Sequence, residues 1–95
     1  KSLSGFMALE RGEARSATIT ALYLTPQARN RGLGKALLDR AKAEAERLTL
    51  WTFQANHQAQ RFYLREGFAE SRRTAGDNEE NLPDIQFVWH AKAPP

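Results

Sequence analysis

Between Arg29 and Lys35 the chain reads Arg, Asn, Arg, Gly, Leu, Gly, Lys, so three cations and two glycines fall within seven residues. Before them, Leu22, Tyr23 and Leu24 close a run suited to a strand, and Thr25 and Pro26 stop it. After them the apolar spacing turns helical. A strand, a glycine loop and a helix start make an anion-binding corner, because the first N–H groups of a helix have no intrahelical partner and its dipole is positive there. Glycines let a phosphate approach the backbone, and Arg29, Arg31 and Lys35 add three cations, the arginines with guanidinium forks that suit phosphate oxygens.

Two common phosphate motifs fail on these residues. A dinucleotide fingerprint needs a third small residue where Leu37 stands, and an acid where Thr52, Phe53 and Gln54 stand. A Walker loop needs glycine at Arg29, and Ser or Thr where Ala36 follows Lys35. Nucleotide hydrolysis is therefore disfavoured.

The elements that must hold this corner follow from periodicity. Ser2 to Leu9 and Ala17 to Leu24 read as strands, joined by a hairpin turn over Glu10 to Arg15 around Gly12. From Leu33, the residues Leu37, Ala41 and Leu48 share a face with Leu38 and Ala45 beside them, which predicts an amphipathic helix of about four turns. Leu48 to Phe53 reads as a buried strand. Asn56 caps a second helix, His57 to Arg65, and Gly67 fits the left-handed residue that ends it. Phe68 to Arg73 and Asp84 to His90 are strands, the latter with Ile85, Phe87 and Trp89 on one side. Thr74 to Pro83, rich in turn formers and charge, reads as a mobile loop with almost nothing to bury. The order β-β-α-β-α-β-β predicts an α/β protein with a mixed, mostly antiparallel sheet flanked by helices.

Ninety-five residues make one small domain, 1–95. With 41% hydrophobic and 26% charged residues it has the composition of a folding chain rather than a disordered one. Zero cysteines removes disulfides, thiolate metal sites and cysteine nucleophiles. His57 and His90 lack metal-ligand spacing, so no metal is expected. A net charge of +3 is too mild to select nucleic acid. No run approaches the roughly 18 residues of a membrane helix, and no signal-peptide layout opens the chain, so a cytoplasmic protein is expected. Trp51, Phe53, Phe87 and Trp89 read as core or dimer contacts, the latter making a homodimer one expected partner.

Arg29, Gly32 and Gly34 match the pattern Arg or Gln, two residues, Gly, one residue, Gly or Ala. This resembles the acetyl-CoA signature of the GNAT superfamily of N-acetyltransferases. Asn56, Ala59, Phe62, Tyr63, Gly67 and Phe68 resemble the later block of that family, and Leu82, Pro83, Asp84 with Trp89 resemble some of its small-molecule acetyltransferases. The resemblance runs over roughly Gly5 to His90. Members generally carry further strands and two helices ahead of the strand matched by Ser2 to Leu9, so the resemblance implies a GNAT-like acyl-CoA N-acyltransferase fold truncated at the N-terminus.

The resemblance further implies acetyl-CoA as co-substrate and an amine acceptor, the amine of a small molecule or an amino terminus. It implies that Leu22, Tyr23 and Leu24 offer strand-edge backbone to the pantetheine arm, imitating a sheet partner. Arg29, Asn30, Arg31, Gly32, Leu33, Gly34 and Lys35 would hold the pyrophosphate, Asn56 the pantetheine, and Tyr63 would face the sulfur. Two strands, Ala17 to Leu24 and Leu48 to Phe53, would splay to admit the cofactor. Tyr63, with an unperturbed pKa of about 10, carries the proton a leaving thiolate takes. An alkyl amine is neutral only about once in a few thousand molecules at pH 7, so a base is also wanted. Glu10 is the acid the sequence offers nearby. The competing class is a CoA-binding or interaction module without turnover. Acetyl against other acyl groups stays open.

Overall fold

The computed structural model describes residues 5–24, 32–76 and 78–91. Five strands and two helices follow one another as β1 (Gly5–Arg11), β2 (Ser16–Leu24), α1 (Leu33–Glu44), β3 (Arg47–Phe53), α2 (His57–Arg65), β4 (Ala69–Thr74) and β5 (Asp84–His90). The sheet order is β1-β2-β3-β5-β4. The pairs β1–β2, β3–β5 and β4–β5 are antiparallel, and β2–β3, joined through α1, is parallel. The predicted element order and the mixed, mostly antiparallel sheet are what the chain adopts.

Each strand sorts its side chains by the period of two. Ala17, Ile19, Leu48, Leu50, Ile85 and Phe87 point to one face and are buried there with Leu38 and Ala41 of α1 and Tyr63 of α2. Both helices cover that face: a Cβ on Gly34 of α1 would lie 3.1 Å from Phe62 of α2, and Lys42 of α1 donates to the Glu66 carbonyl at 2.6 Å. The other face carries the half-exposed Phe6, Tyr23, Trp51 and Phe53. The molecule measures 38 × 38 × 22 Å, the thickness of one sheet and one helix layer.

Local chemistry sets the boundaries. Between β1 and β2, Gly12 donates to Ser16, and Ala14 and Arg15 take positive φ, closing the predicted hairpin. Asn56 Oδ1 accepts from the Ala59 N–H at 3.1 Å and starts α2. Its end is a Schellman closure, with Phe68 N–H on Tyr63, Gly67 N–H on Leu64 and Gly67 at φ +94°.

Three expectations need correction. Leu48 does not extend the α1 face: the helix stops at Glu44, Ala45 is extended, and Leu48 is fully buried in β3 opposite Trp89. Its helical spacing from Ala41 is coincidental, and sheet pairing overrides it. The first strand runs Gly5–Arg11 instead of ending at Leu9, because the ladder with β2 continues to Arg11 opposite Ala17. The stretch after Thr74 is not a bare loop. Asn78 donates to the Leu82 carbonyl and to Asp84 Oδ2, and its Oδ1 accepts from the Leu82 N–H, folding a turn over the start of β5. Of the four aromatics read as core or dimer contacts, Phe87 and Trp89 belong to or pack on the core, and Trp51 and Phe53 lie half-exposed on the far face.

Candidate active site

The site begins where the sheet comes apart. β2 and β3 pair only from Ser16 opposite Arg47 to Ile19 opposite Leu50, and beyond that point neither strand has a ladder partner across the gap. The cause lies on the other side of β2. Its register with β1 jumps from Ala8–Ala21 to Leu9–Ile19, so Thr20 has no opposite residue and forms a bulge. A bulge sharpens twist and bends its strand, which carries Ala21 to Leu24 away from β3. The splay that the family resemblance implied for these two strands is present.

At the gap lies a cavity of about 690 Å³ with lining residues from both faces of the sheet. Ile19, Leu22, Leu50 and Thr52 line it with Asn56, Ala59 and Tyr63 on the helix side, and Trp51, Phe53, Arg72, Thr74 and Asp84 line it on the far side. Tyr63 is 8% exposed, wedged among Phe62, Phe68 and Phe87 with ring centres 5.3 to 6.1 Å apart. Its hydroxyl makes no hydrogen bond to any described residue, and no fully buried side-chain polar atom is left unpaired, so that oxygen opens to the cavity. Burial raises its pKa above the ordinary 10.0 and keeps the phenol protonated at neutral pH.

At the helix-side rim, α1 starts on Gly32, which takes φ +81° with no side-chain cap and no acid in the first turn. Nothing lies within 4 Å of where a Gly32 side chain would begin, and the N–H groups of Leu33 and Gly34, in the first turn, have no intrahelical partner. Gly34 is small for another reason: Phe62 and Leu24 fill the volume a side chain would need. Lys35 is committed to acids, 3.3 Å from Asp39 and 3.5 Å from Glu66, and the Asp39 hydrogen bond and charge hold its ammonium above the usual 10.5. Arg29, Asn30 and Arg31 lie outside the described residues.

The structure brings Leu22, Asn56 and Tyr63 to one cavity, with Gly32, Leu33 and Gly34 at the start of the neighbouring helix. Leu24 packs toward Gly34, and Tyr23 turns outward against Phe6 with ring centres 5.9 Å apart. Glu10 stands apart. It is exposed and pairs with Thr18, at the closed end of β2, and is not among the cavity's lining residues. The acids that do line the cavity are Glu80 and Asp84, which sequence reasoning passed over as loop and strand start. Asp84 is only 8% exposed, with Oδ1 accepting from Thr74 Oγ1 and Oδ2 from Asn78 Nδ2. A lone acid heading a strand that carries Ile85, Phe87, Val88 and Trp89, just after Leu82 and Pro83, was the available signal. Among the described residues no group of three His, Cys, Asp or Glu could hold a metal ion, and no helix is long and apolar enough to cross a membrane.

Known proteins share this fold. The crystal structure of Ard1 from Thermoplasma volcanium superposes with a TM-score of 0.84 over 97% of this chain and 66% of its own, at 20% identity. A Bacillus anthracis protein described as a streptothricin acetyltransferase, solved in complex with acetyl coenzyme A, gives 0.82 over 93% of this chain and 56% of its own, at 23% identity. At such identities the likeness is one of fold. The peptidyl-lysine N-acetyltransferase YiaC of Escherichia coli K12 is 33% identical over 87 residues, 92% of this chain and 56% of the relative, so the chain spans about half the length of that protein. Residues 1–70, which span β1 to α2 and include the β2–β3 pair, match the acetyltransferase (GNAT) domain. The chain belongs to the GNAT acetyltransferase family.

Proposed function

We propose that this site transfers an acetyl group from acetyl-CoA to the primary amine of a small molecule or an amino terminus by direct attack, with Tyr63 as general acid. The observation that carries the reading is the opening of the β2–β3 pair after Ile19–Leu50 beside a buried tyrosine whose hydroxyl reaches the gap.

The residues present fit the co-substrate. The unpaired edge of β2 from Thr20 to Leu24 offers main-chain donors and acceptors to an extended amide-bearing arm. The uncapped start of α1 on Gly32 gives the N–H groups of Leu33 and Gly34 to a diphosphate, and the sequence adds Arg29, Asn30 and Arg31 just before it. Asn56 spends Oδ1 on capping α2, which leaves its Nδ2 donors for a carbonyl acceptor in the cavity. Lys35 contributes through general field more than contact, since two acids hold it.

Acetyl-CoA supplies an activated thioester carbonyl. The amine, made neutral by passing its ammonium proton to solvent water, bonds through nitrogen to that carbonyl carbon, the carbon–sulfur bond breaks, and the nitrogen gives its surplus proton to solvent, from which Tyr63 is later re-protonated. Tyr63 donates its phenolic proton to the departing sulfur, a role its burial favours by holding the phenol neutral. A main-chain N–H near Leu24 stabilises the charge that develops on the carbonyl oxygen. The amine enters from the far face, between Trp51, Phe53 and Asp84. A lysine side chain, the acceptor class in the name of the E. coli relative, is a primary alkyl amine of the same kind.

Calorimetry on the full chain should detect CoA binding, and absence of binding would end this reading. Tyr63→Phe should lower thiol release from acetyl-CoA by about 10²-fold or more while leaving CoA affinity within about twofold. Unchanged release would remove Tyr63 as the acid, and CoA binding without any amine-dependent release would favour the binding module.

A further inference from the structure

The cavity's far mouth is charged against the sign of the whole molecule. Its ionisable lining is Arg72, Glu80 and Asp84, one cation against two acids, in a chain whose net charge is +3. Arg72 is turned onto Trp51, its guanidinium carbon 5.1 Å from the ring centre. Asp84 is held differently. It is 8% exposed, both its oxygens are fixed by Thr74 and Asn78, and its main-chain carbonyl accepts from Gln54 Nε2 at 3.3 Å. A buried carboxylate is costly unless paired, and neutral hydroxyl and amide donors orient this one without cancelling its charge.

Strand alternation puts Asp84 on the far face beside Phe53, its partner across the β3–β5 ladder, and next to Trp51 two residues back along β3. An ammonium group on an apolar stem meets complementary chemistry there: the half-exposed Phe53 for the stem, with the Trp51 ring already faced by Arg72, and a rigid acceptor for its N–H donors. We propose that Asp84 selects and positions the acceptor, so that the site favours cationic alkyl amines over uncharged nucleophiles of equal size. Resting on the acetyl-transfer reading, the inference adds the charge class of the acceptor and the side chain that recognises it. Glu80, exposed on the turn above, reinforces the field without fixing geometry. Asp84 acts by binding, and Tyr63 on the opposite side of the sheet retains the proton-donating role.

The test is equilibrium binding to the full chain saturated with CoA, which cannot transfer an acyl group. Cyclohexylamine, a cation at neutral pH, and cyclohexanol, its uncharged isostere, are the probes. The wild-type protein should bind the amine at least tenfold more tightly than the alcohol. Asp84→Asn should bring the two within about twofold while leaving CoA affinity unchanged, and Glu80→Gln should narrow the gap only in part. Equal binding of amine and alcohol by the wild-type protein would overturn the proposal without any variant, as would discrimination that survives Asp84→Asn in a folded protein. Loss of CoA binding in the wild type would instead overturn the acetyl-transfer reading, so the two failures are distinguishable.

Discussion

Tyr63 combines two demands that usually conflict. Its ring sits in the core with Phe68 and Phe87, while its oxygen is available to the cavity. Burial raises the phenol pKa above 10.0, so the folded protein keeps this proton when the unfolded chain begins to lose it. Stability from this residue is therefore complete below pH of about 10 and declines as pH rises from there through the higher folded value. In urea titrations, the difference in stability between Tyr63→Phe and wild type should be constant from pH 7 to 9 and move in favour of the variant between pH 10 and 11. A constant difference would show that the ring is not desolvated. The residue types around Tyr63 were readable in the sequence, because the Asn56 to Phe68 spacing carried them. Asp84 was not, because its importance comes from Thr74 and Asn78 folding over it, ten and six residues away, and no local pattern marks that closure.

Among the elements, α2 is the one whose position matters most to the chemistry, and its ends were legible. Asn56 and Gly67 are the residue types that start and stop helices, and both do so. The Schellman closure at Gly67 also brings Phe68 against Tyr63, with ring centres 5.7 Å apart, which fixes the catalytic candidate's ring from the C-terminal side. A Cβ at Gly67 would meet Trp89 at 3.6 Å, an ordinary contact, so substitution there costs only backbone strain at φ +94°. Gly67→Ala should destabilise the protein by about 1 to 2 kcal/mol in urea unfolding. A neutral result would mean that the closure rearranges without strain. By contrast, α1 was predicted one turn too long, since the period of 3.6 cannot tell a last helical turn from a strand that happens to continue the same phase. The bulge at Thr20 was illegible too: it is a mismatch between two strands, and neither strand's sequence contains it.

For the molecule as a whole, one layer of helices on one face of the sheet leaves a modest core, with Leu38, Leu48, Leu50, Ile85 and Phe87 at its centre. Leu38 reaches that core from the middle of α1 with no exposed surface. Leu38→Ala should cost about 2 to 5 kcal/mol, a large part of the roughly 5 to 15 kcal/mol that holds a domain folded, and thermal melting should fall by more than 10 °C. A shift of only a degree or two would place the stabilising contacts elsewhere. The fold class was legible because the alternation of periods two and 3.6 gave the element order. The strand order β1-β2-β3-β5-β4, which alone creates the parallel pair at the centre, needed the tertiary structure.

That central pair has a mechanical consequence. Only four residue pairs, Ser16–Arg47 to Ile19–Leu50, stitch the β1–β2 ribbon to the β3–β5–β4 ribbon. The two ribbons are internally antiparallel and paired along most of their lengths, so the seam between them is the place where the sheet can open most readily. A ligand arm lying in the gap would extend the seam by several rungs, turning a hinge into a continuous sheet. Amide hydrogen exchange along Thr20 to Leu24 and Trp51 to Phe53 would slow when the gap fills, well before any change reached the outer strands.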